Sequence, residues 1–328
     1  MADTEKKPLI VIEGPTAVGK SELAAELARR INGEVISADS MQVYRYMDIG
    51  SAKVTLEEML GVPHYMIDVL DPTEEMDVAR YAVMAKNCLE QIYQRGRMPV
   101  LCGGTGFYIQ AVTRDIDFTE AESDTKLRDE LKKISVEQGN EALHHILREL
   151  DPEAANEIHP NNVKRVIRAI EFFKTTGKRI SEHNEEEHLR ESPYDLVTFF
   201  VDDEREKLYR RIDERVGFMR AAGLEEEAAY LRAMGLKRSD VSMQGIGYKE
   251  ILDAMDGAFS MDDAFELIRL NSRHYAKRQE TWFKRDASAI HLIRSDFGGD
   301  TFRILDKMLQ IVAEHYHITV SAVENPNT

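Results

Sequence analysis

Residues 8–21 read PLIVIEGPTAVGKS, and the way this stretch divides decides the fold. Its first six residues are a short apolar run ending at Gly14. From Ser21 to about Ile31 the pattern turns helical, with Leu23, Leu27 and Ile31 on one face. Strand, glycine loop and helix follow one another, and residues 14–21 satisfy G-x-x-x-x-G-K-[ST] in the context that gives the pattern its meaning. Gly14, Pro15, Thr16, Ala17, Val18, Gly19, Lys20 and Ser21 then make a cradle for a diphosphate or triphosphate. Consecutive loop amides point at phosphate oxygens, the helix N-terminus adds its positive end, Lys20 meets a terminal phosphate and Ser21 coordinates Mg²⁺. The competing reading is a glycine-rich turn with a chance lysine.

Further apolar runs, EVISAD (34–39), YMIDVL (65–70) and MPVLCGG (98–104), read as strands, with a periodic helical segment near 77–95. Strands alternating with helices predict a parallel sheet covered on both faces, an α/β fold of the P-loop NTPase-like kind. From 118 to 193 the chain is polar and helical in pattern, and SEHNEEEHLRES (181–192), charged and poor in apolar residues, is expected to be a mobile loop. Strands return at DLVTFFV (195–201) and SAIHLI (288–293). The expected organisation is a catalytic core of 1–117 and 194–328, interrupted by a helical insertion at 118–193.

A chain of 328 residues can hold a large domain and a smaller one. The opening MADTEKKP is charged and no run of about 18 apolar residues occurs, so a cytosolic protein without membrane attachment is expected. Cys88 and Cys102 lie in apolar segments and read as buried free thiols; no Cys or His cluster suggests zinc. A net charge of -16 argues against nucleic-acid binding through bulk electrostatics but leaves room for a local basic surface.

The loop does not say whether its phosphates are transferred, hydrolysed or expelled. YMIDVLD is the only nearby candidate for the acidic strand of a nucleotide hydrolase, and it is ambiguous; no N-K-x-D base-specificity motif follows. Asp39, after the second apolar run, falls at the carboxyl edge where open α/β sheets place ligands. It suits a proton acceptor or a hydroxyl-holding group, and equally a turn cap before Ser40. GGTGFY (103–108) also ends a strand, and Thr105 there is either a site hydroxyl or a helix cap.

In order, GPTAVGKS, ADSMQVYRYMDIGSAK and GGTGFYIQAV resemble the tRNA dimethylallyltransferase (tRNA isopentenyltransferase) family. NVKRVIRAIE, RIDERVGFMRAAGLEEEA, MQGIGYKE and AKRQETWFKRD extend the resemblance over about residues 8–316. It implies transfer of a dimethylallyl group from dimethylallyl diphosphate to N6 of adenosine 37, in tRNAs reading codons that begin with U. Asp39 matches the family's catalytic aspartate and is the implied general base. Thr105, in the GGT motif, holds or orients the acceptor amine. The leaving diphosphate needs its growing charge met by the loop, Lys20, Mg²⁺ on Ser21 and an arginine of RIDERV, with Arg215 favoured over Arg211; either arginine also suits a surface ion pair.

On the acceptor side, an adenosine stacked in the anticodon stem-loop has to flip out to reach a buried diphosphate. Residues 161–180 and 269–285 each carry six Lys or Arg against one Glu, giving +5 twice, which fits phosphate tracking or solvated helix faces. The resemblance places tRNA contacts at Asp39, Ser40, Met41 and Gln42, at Thr105, at Asn161, Asn162, Val163, Lys164 and Arg165, and along 243–250. Gln244, Gly245 and Tyr248 are candidates to read or stack loop bases, with Arg278 in the second basic segment. Trp282 and Phe283 read as core. Where many members have TASGKT this chain has TAVGKS, which keeps the Mg²⁺ hydroxyl. A monomer is expected. The rival readings are a small-molecule P-loop kinase, which leaves the basic segments without a use, and a nucleotide-gated RNA-binding module without chemistry.

Overall fold

The computed structural model describes residues 6–116 and 125–320. Residues 117–124, all but the first in the expected insertion, and the two ends of the chain lie outside the described residues. Two compact units form, one of residues 1–113 and 193–328, the other of 114–192.

The larger unit is built on strands β1 (Lys7–Glu13), β2 (Gly33–Ala38), β3 (His64–Tyr65), β4 (Met98–Gly103), β5 (Tyr194–Asp202) and β6 (Ile290–Ile293), in the order β3-β2-β4-β1-β5-β6 and all parallel. Both faces are covered, which is why its strands read as continuous apolar runs. Leu9 and Val11 of β1 enter one buried cluster and Ile10 and Ile12 the other. Helix α1 (Lys20–Arg30) covers the second face, helices α2 (Val78–Gln94) and α3 (Gly106–Thr113) the first.

The chain leaves β1 for β2 and β3 on one side, returns to insert β4 beside β1, then continues to β5 and β6 on the other side. The crevice of an open α/β sheet opens where this direction reverses, beyond the carboxyl ends of β1 and β4. Register fixes what meets there: Glu13 lies opposite Gly103, and Ala38 opposite Gly103 on the other side. The residues that follow, Gly14, Asp39 and Gly104, therefore converge.

The expected strand at 65–70 is a correction. Only His64 and Tyr65 pair with β2, because Met66 and Asp68 take left-handed backbone (φ 63° and 55°) that breaks the pleat. The rest bonds instead to the loop after β2: the amides of Asp68 and Val69 donate to the carbonyls of Gln42 (3.1 Å) and Val43 (2.9 Å).

The 114–192 unit is helical: α4 (Thr125–Gln138), α5 (Asn140–Leu150), α6 (Pro152–Glu157), α7 (Val163–Thr176) and α8 (Ile180–Leu189). Leu131, Leu143, Leu147, Val166 and Ile170 form its own core. Fully buried Glu171 is held by Arg128 (2.8 Å) and Arg168 (3.4 Å). The stretch expected as a mobile loop is largely helix α8. Asp151 caps α6 through the Ala154 amide (3.0 Å) and also accepts from the Ser181 amide (3.0 Å) and hydroxyl (2.7 Å), pinning the first turn of α8.

Back in the larger unit, α9 (Arg205–Ala221), α10 (Leu224–Ala233), α11 (Tyr248–Met255), α12 (Met261–Phe283) and α13 (Thr301–Tyr316) complete the layers. Cys102 is buried and Cys88 half-buried, both with free thiols. Phe283 is core and Trp282 packs partly against it.

Candidate active site

A cavity of about 440 Å³ opens beyond the carboxyl edge, lined by Thr16, Ala17 and Gly19 to Glu22 of the loop and first turn, by Asp39 and Gln42, by Gly103 and Gly104, and by Arg211, Arg215, Tyr275 and Gln279. The 14–21 loop enters it from β1 and hands over to α1, whose first residue is Lys20. Ala17 holds a left-handed conformation (φ 63°), backbone strain at the bend of the loop. Lys20 Nζ donates to the Pro15 carbonyl (2.6 Å), and burial drives its pKa down to about 8 although Cys102 and Asp39 pull the other way. Ser21 stands exposed at the first turn of α1 and lines the cavity.

Asp39 caps the turn after β2 and also faces the cavity. Its Oδ1 accepts from the amides of Met41 (2.8 Å) and Gln42 (3.3 Å), which fixes the turn after β2, and the carboxylate lines the cavity. Thr105 is tied to the same turn: its amide donates to the Ala38 carbonyl (3.1 Å) and its hydroxyl accepts from the Ser40 amide (3.1 Å).

One face of α9 brings both arginines of RIDERV inward. Arg215 Nη1 donates to the Thr16 hydroxyl (3.0 Å); burial lowers its pKa, opposed by the negative charges of Asp39 and Glu58. Arg211 also lines the cavity but is engaged by Asp203, just past β5 (2.7 Å).

Gln279 on α12 falls inside AKRQETWFKRD, where nothing in the sequence distinguishes it from its neighbours. Its Oε1 accepts from the Thr16 amide (2.8 Å) while its Nε2 donates to the Gly104 carbonyl (2.8 Å), so one buried amide joins the 14–21 loop to the GGT turn. A Cβ on Gly104 would stand 2.2 Å from that Nε2, so only glycine admits the bridge. Tyr275, one helical turn earlier, also lines the cavity, and burial raises its hydroxyl pKa to about 12. The i, i+4 spacing of Tyr275 and Gln279 was the available signal; nothing local showed which way that face points.

The other candidates separate. Met41 packs against Gly245, where a Cβ would meet the Met41 methyl at 2.5 Å. Gln244 is exposed and bonded to Arg238 (3.1 Å). Tyr248 is fully buried with its hydroxyl on Glu227 (2.7 Å), so its ring is core and offers no platform to a base. Glu227, inside RIDERVGFMRAAGLEEEA but not distinguished there from its acidic neighbours, also accepts from the amides of Asp48 (2.9 Å), Ile49 (2.9 Å) and Gly50 (3.0 Å), shaping the loop beside the cavity. Arg278 lies 5.7 Å over the Tyr275 ring. Within the 114–192 unit, Asn161 accepts from Asn140 (3.1 Å), Asn162 precedes α7, Val163 opens it, and Lys164 and Arg165 are exposed on its first turn. Several charges of the basic segments are engaged: Arg269 by Glu266 (2.6 Å), Arg273 by Asp213, Lys284 by Glu280, Arg168 by Glu171 and Arg179 by Glu182 (3.6 Å). The formal +5 of each segment therefore overstates its free charge.

Among the described residues no three His, Cys, Asp or Glu side chains cluster to hold a metal, and no helix is long and apolar enough to cross a membrane.

The family described as IPP transferase matches residues 42–286, and that described as isopentenyl transferase matches 7–70. A tRNA dimethylallyltransferase of Lachnoclostridium phytofermentans is 52% identical over 308 residues, 94% of this chain and 98% of that protein. Among solved structures, the tRNA isopentenylpyrophosphate transferase of Bacillus halodurans is 43% identical with a TM-score of 0.71, covering 95% of this chain and 99% of the other. A eukaryotic dimethylallyltransferase captured acting on tRNA is 29% identical with a TM-score of 0.80, covering 98% and 82%. By sequence and by fold together, the chain belongs to the IPP transferase family of tRNA dimethylallyltransferases.

Proposed function

We propose that this enzyme transfers the dimethylallyl group of dimethylallyl diphosphate to N6 of adenosine 37, beside the anticodon of tRNAs reading codons that begin with U, and releases diphosphate. One observation carries the reading: a carboxylate, Asp39, and a cationic phosphate cradle, Lys20 and Arg215, line the same cavity. In the transfer, the N6 lone pair forms a bond to the allylic carbon as the bond from that carbon to the diphosphate oxygen breaks. The N6 proton passes to Asp39, and Thr105 orients the acceptor beside it. Because the lone pair is delocalised into the ring, positioning and proton removal both matter.

The negative charge left on the diphosphate is met by loop amides, Lys20 and Arg215, with Arg211 shared with Asp203. The exposed Ser21 hydroxyl suits Mg²⁺ that arrives with the diphosphate, since the described residues build no carboxylate cage of their own. When bound, Mg²⁺ would neutralise diphosphate charge. On the acceptor side, Lys164 and Arg165 stand on a first helical turn without an acidic residue, a place where cations oppose the helix dipole and anions are welcome. That supports contact of this unit with tRNA phosphates. A monomeric cytoplasmic enzyme completes the reading.

Labelled dimethylallyl diphosphate and unmodified tRNA, followed by mass measurement of the nucleosides, test it: a dimethylallyl adduct on adenosine 37 is expected. ATP-dependent phosphoryl transfer with no prenylated adenosine would instead identify a P-loop kinase. Asp39→Ala is expected to lower turnover by about 10²- to 10⁴-fold while tRNA affinity stays near wild type. Unchanged turnover removes the general-base role.

A further inference from the structure

The phosphate loop has a charged neighbour that does not line the cavity. Arg294, at the end of β6, is only 7% exposed. Its Nη1 donates to the Val18 carbonyl (3.3 Å) and lies 2.9 Å from where a Cβ on Gly19 would stand, so the missing side chain lets the guanidinium lie against the loop. Nη2 donates to the Gly299 carbonyl (3.1 Å) and the Thr301 hydroxyl (3.0 Å), while Nε is buried without a partner.

Among the described residues no carboxylate stands within ion-pair distance of it. Asp203 is engaged by Arg211 (2.7 Å), and Asp300 accepts from the Phe302 amide (2.9 Å) at the start of α13. Glu22, Asp203 and Asp300 act on Arg294 only at longer range, and Arg211 repels it. A buried guanidinium without a paired anion is costly, and an anion arriving in the adjacent cradle would offset that cost.

We propose that Arg294 is a positioning residue for the donor diphosphate: from behind the loop it fixes the Val18 and Gly19 backbone and adds positive charge to the cradle without touching the ligand. This rests on the reading of the loop as a diphosphate site. A charge role makes a demand that packing does not: Lys should substitute and Gln should fail, although Gln keeps amide donors for the same carbonyls.

Calorimetric titration of inorganic pyrophosphate into full-length wild type, Arg294→Lys and Arg294→Gln, at low and high salt, separates these. Arg294→Gln is expected to bind pyrophosphate about tenfold more weakly at low salt, with the gap narrowing at high salt. Its KM for the donor should rise while kcat at saturating donor stays within about twofold, and Arg294→Lys should stay within about threefold of wild type in affinity. The proposal is overturned if Arg294→Gln binds like wild type, or if Lys and Gln weaken binding equally at both salts. Should Arg294→Gln fail to fold, Arg294→Lys decides: affinity within about threefold supports the charge role, and a loss of about tenfold overturns it. Wild type that binds no pyrophosphate overturns the diphosphate reading itself, and this proposal with it.

Discussion

Lys20 sits where its charge is expensive. Burial holds its pKa at about 8 against an ordinary 10.5, so between those values the unfolded chain binds more protons than the folded one, and stability contributed by this residue rises with pH across that window. A bound diphosphate reverses the preference by favouring the ammonium. Pyrophosphate binding is therefore expected to take up a proton above about pH 8 and to weaken as pH rises further. Titration in buffers of differing ionisation enthalpy measures the uptake; binding without it at pH 9 would show that Lys20 does not meet the ligand. At this scale the sequence was informative about Lys20 and Asp39, whose places follow from the glycine loop and the strand end. It pointed to base reading or stacking at Tyr248, and burial places that ring in the core instead, because an aromatic residue type suits either place.

Between elements, the decisive contact is the Gln279 bridge from α12 to the loop after β1 and the turn after β4. Gln279→Ala leaves the Thr16 amide and the Gly104 carbonyl without this partner and uncouples the 14–21 loop from the turn after β4. The expected result is a fall in kcat of about tenfold or more with fold retained, whereas Gln279→Glu keeps the Thr16 bond but not the donor to Gly104 and should recover only part. Single-turnover rates at saturating substrates check this; a change confined to KM would mean that the bridge serves binding alone. The same scale explains the two element-level corrections. The segment after β3 looked like a strand because its apolar content is high, but left-handed turns at Met66 and Asp68 redirect it. The 181–192 stretch looked structureless because it lacks an apolar stripe, yet Asp151, some 30 residues earlier, supplies the anchor.

For the whole molecule, a net charge of -16 has to be reconciled with an anionic partner. Ion pairing withdraws several lysines and arginines from the basic segments and leaves Lys164 and Arg165 exposed at the start of α7. Replacing both with Ala should weaken tRNA binding at every salt concentration and reduce the slope of log affinity against log salt by roughly 1 to 2, with pyrophosphate binding untouched. An unchanged slope in filter-binding assays would remove these residues from the tRNA surface. The glycine loop between β1 and α1, the alternation of strands and helices, and Asp39 at a strand end were legible in the sequence, because glycine spacing and apolar period are relations between near neighbours on the chain. Which groups share the cavity was decided only in three dimensions: Arg215 reaches Thr16 across 199 residues and Gln279 across 263. No local pattern encodes such distances, since they arise from how α9 and α12 pack against a sheet whose strand order departs from chain order.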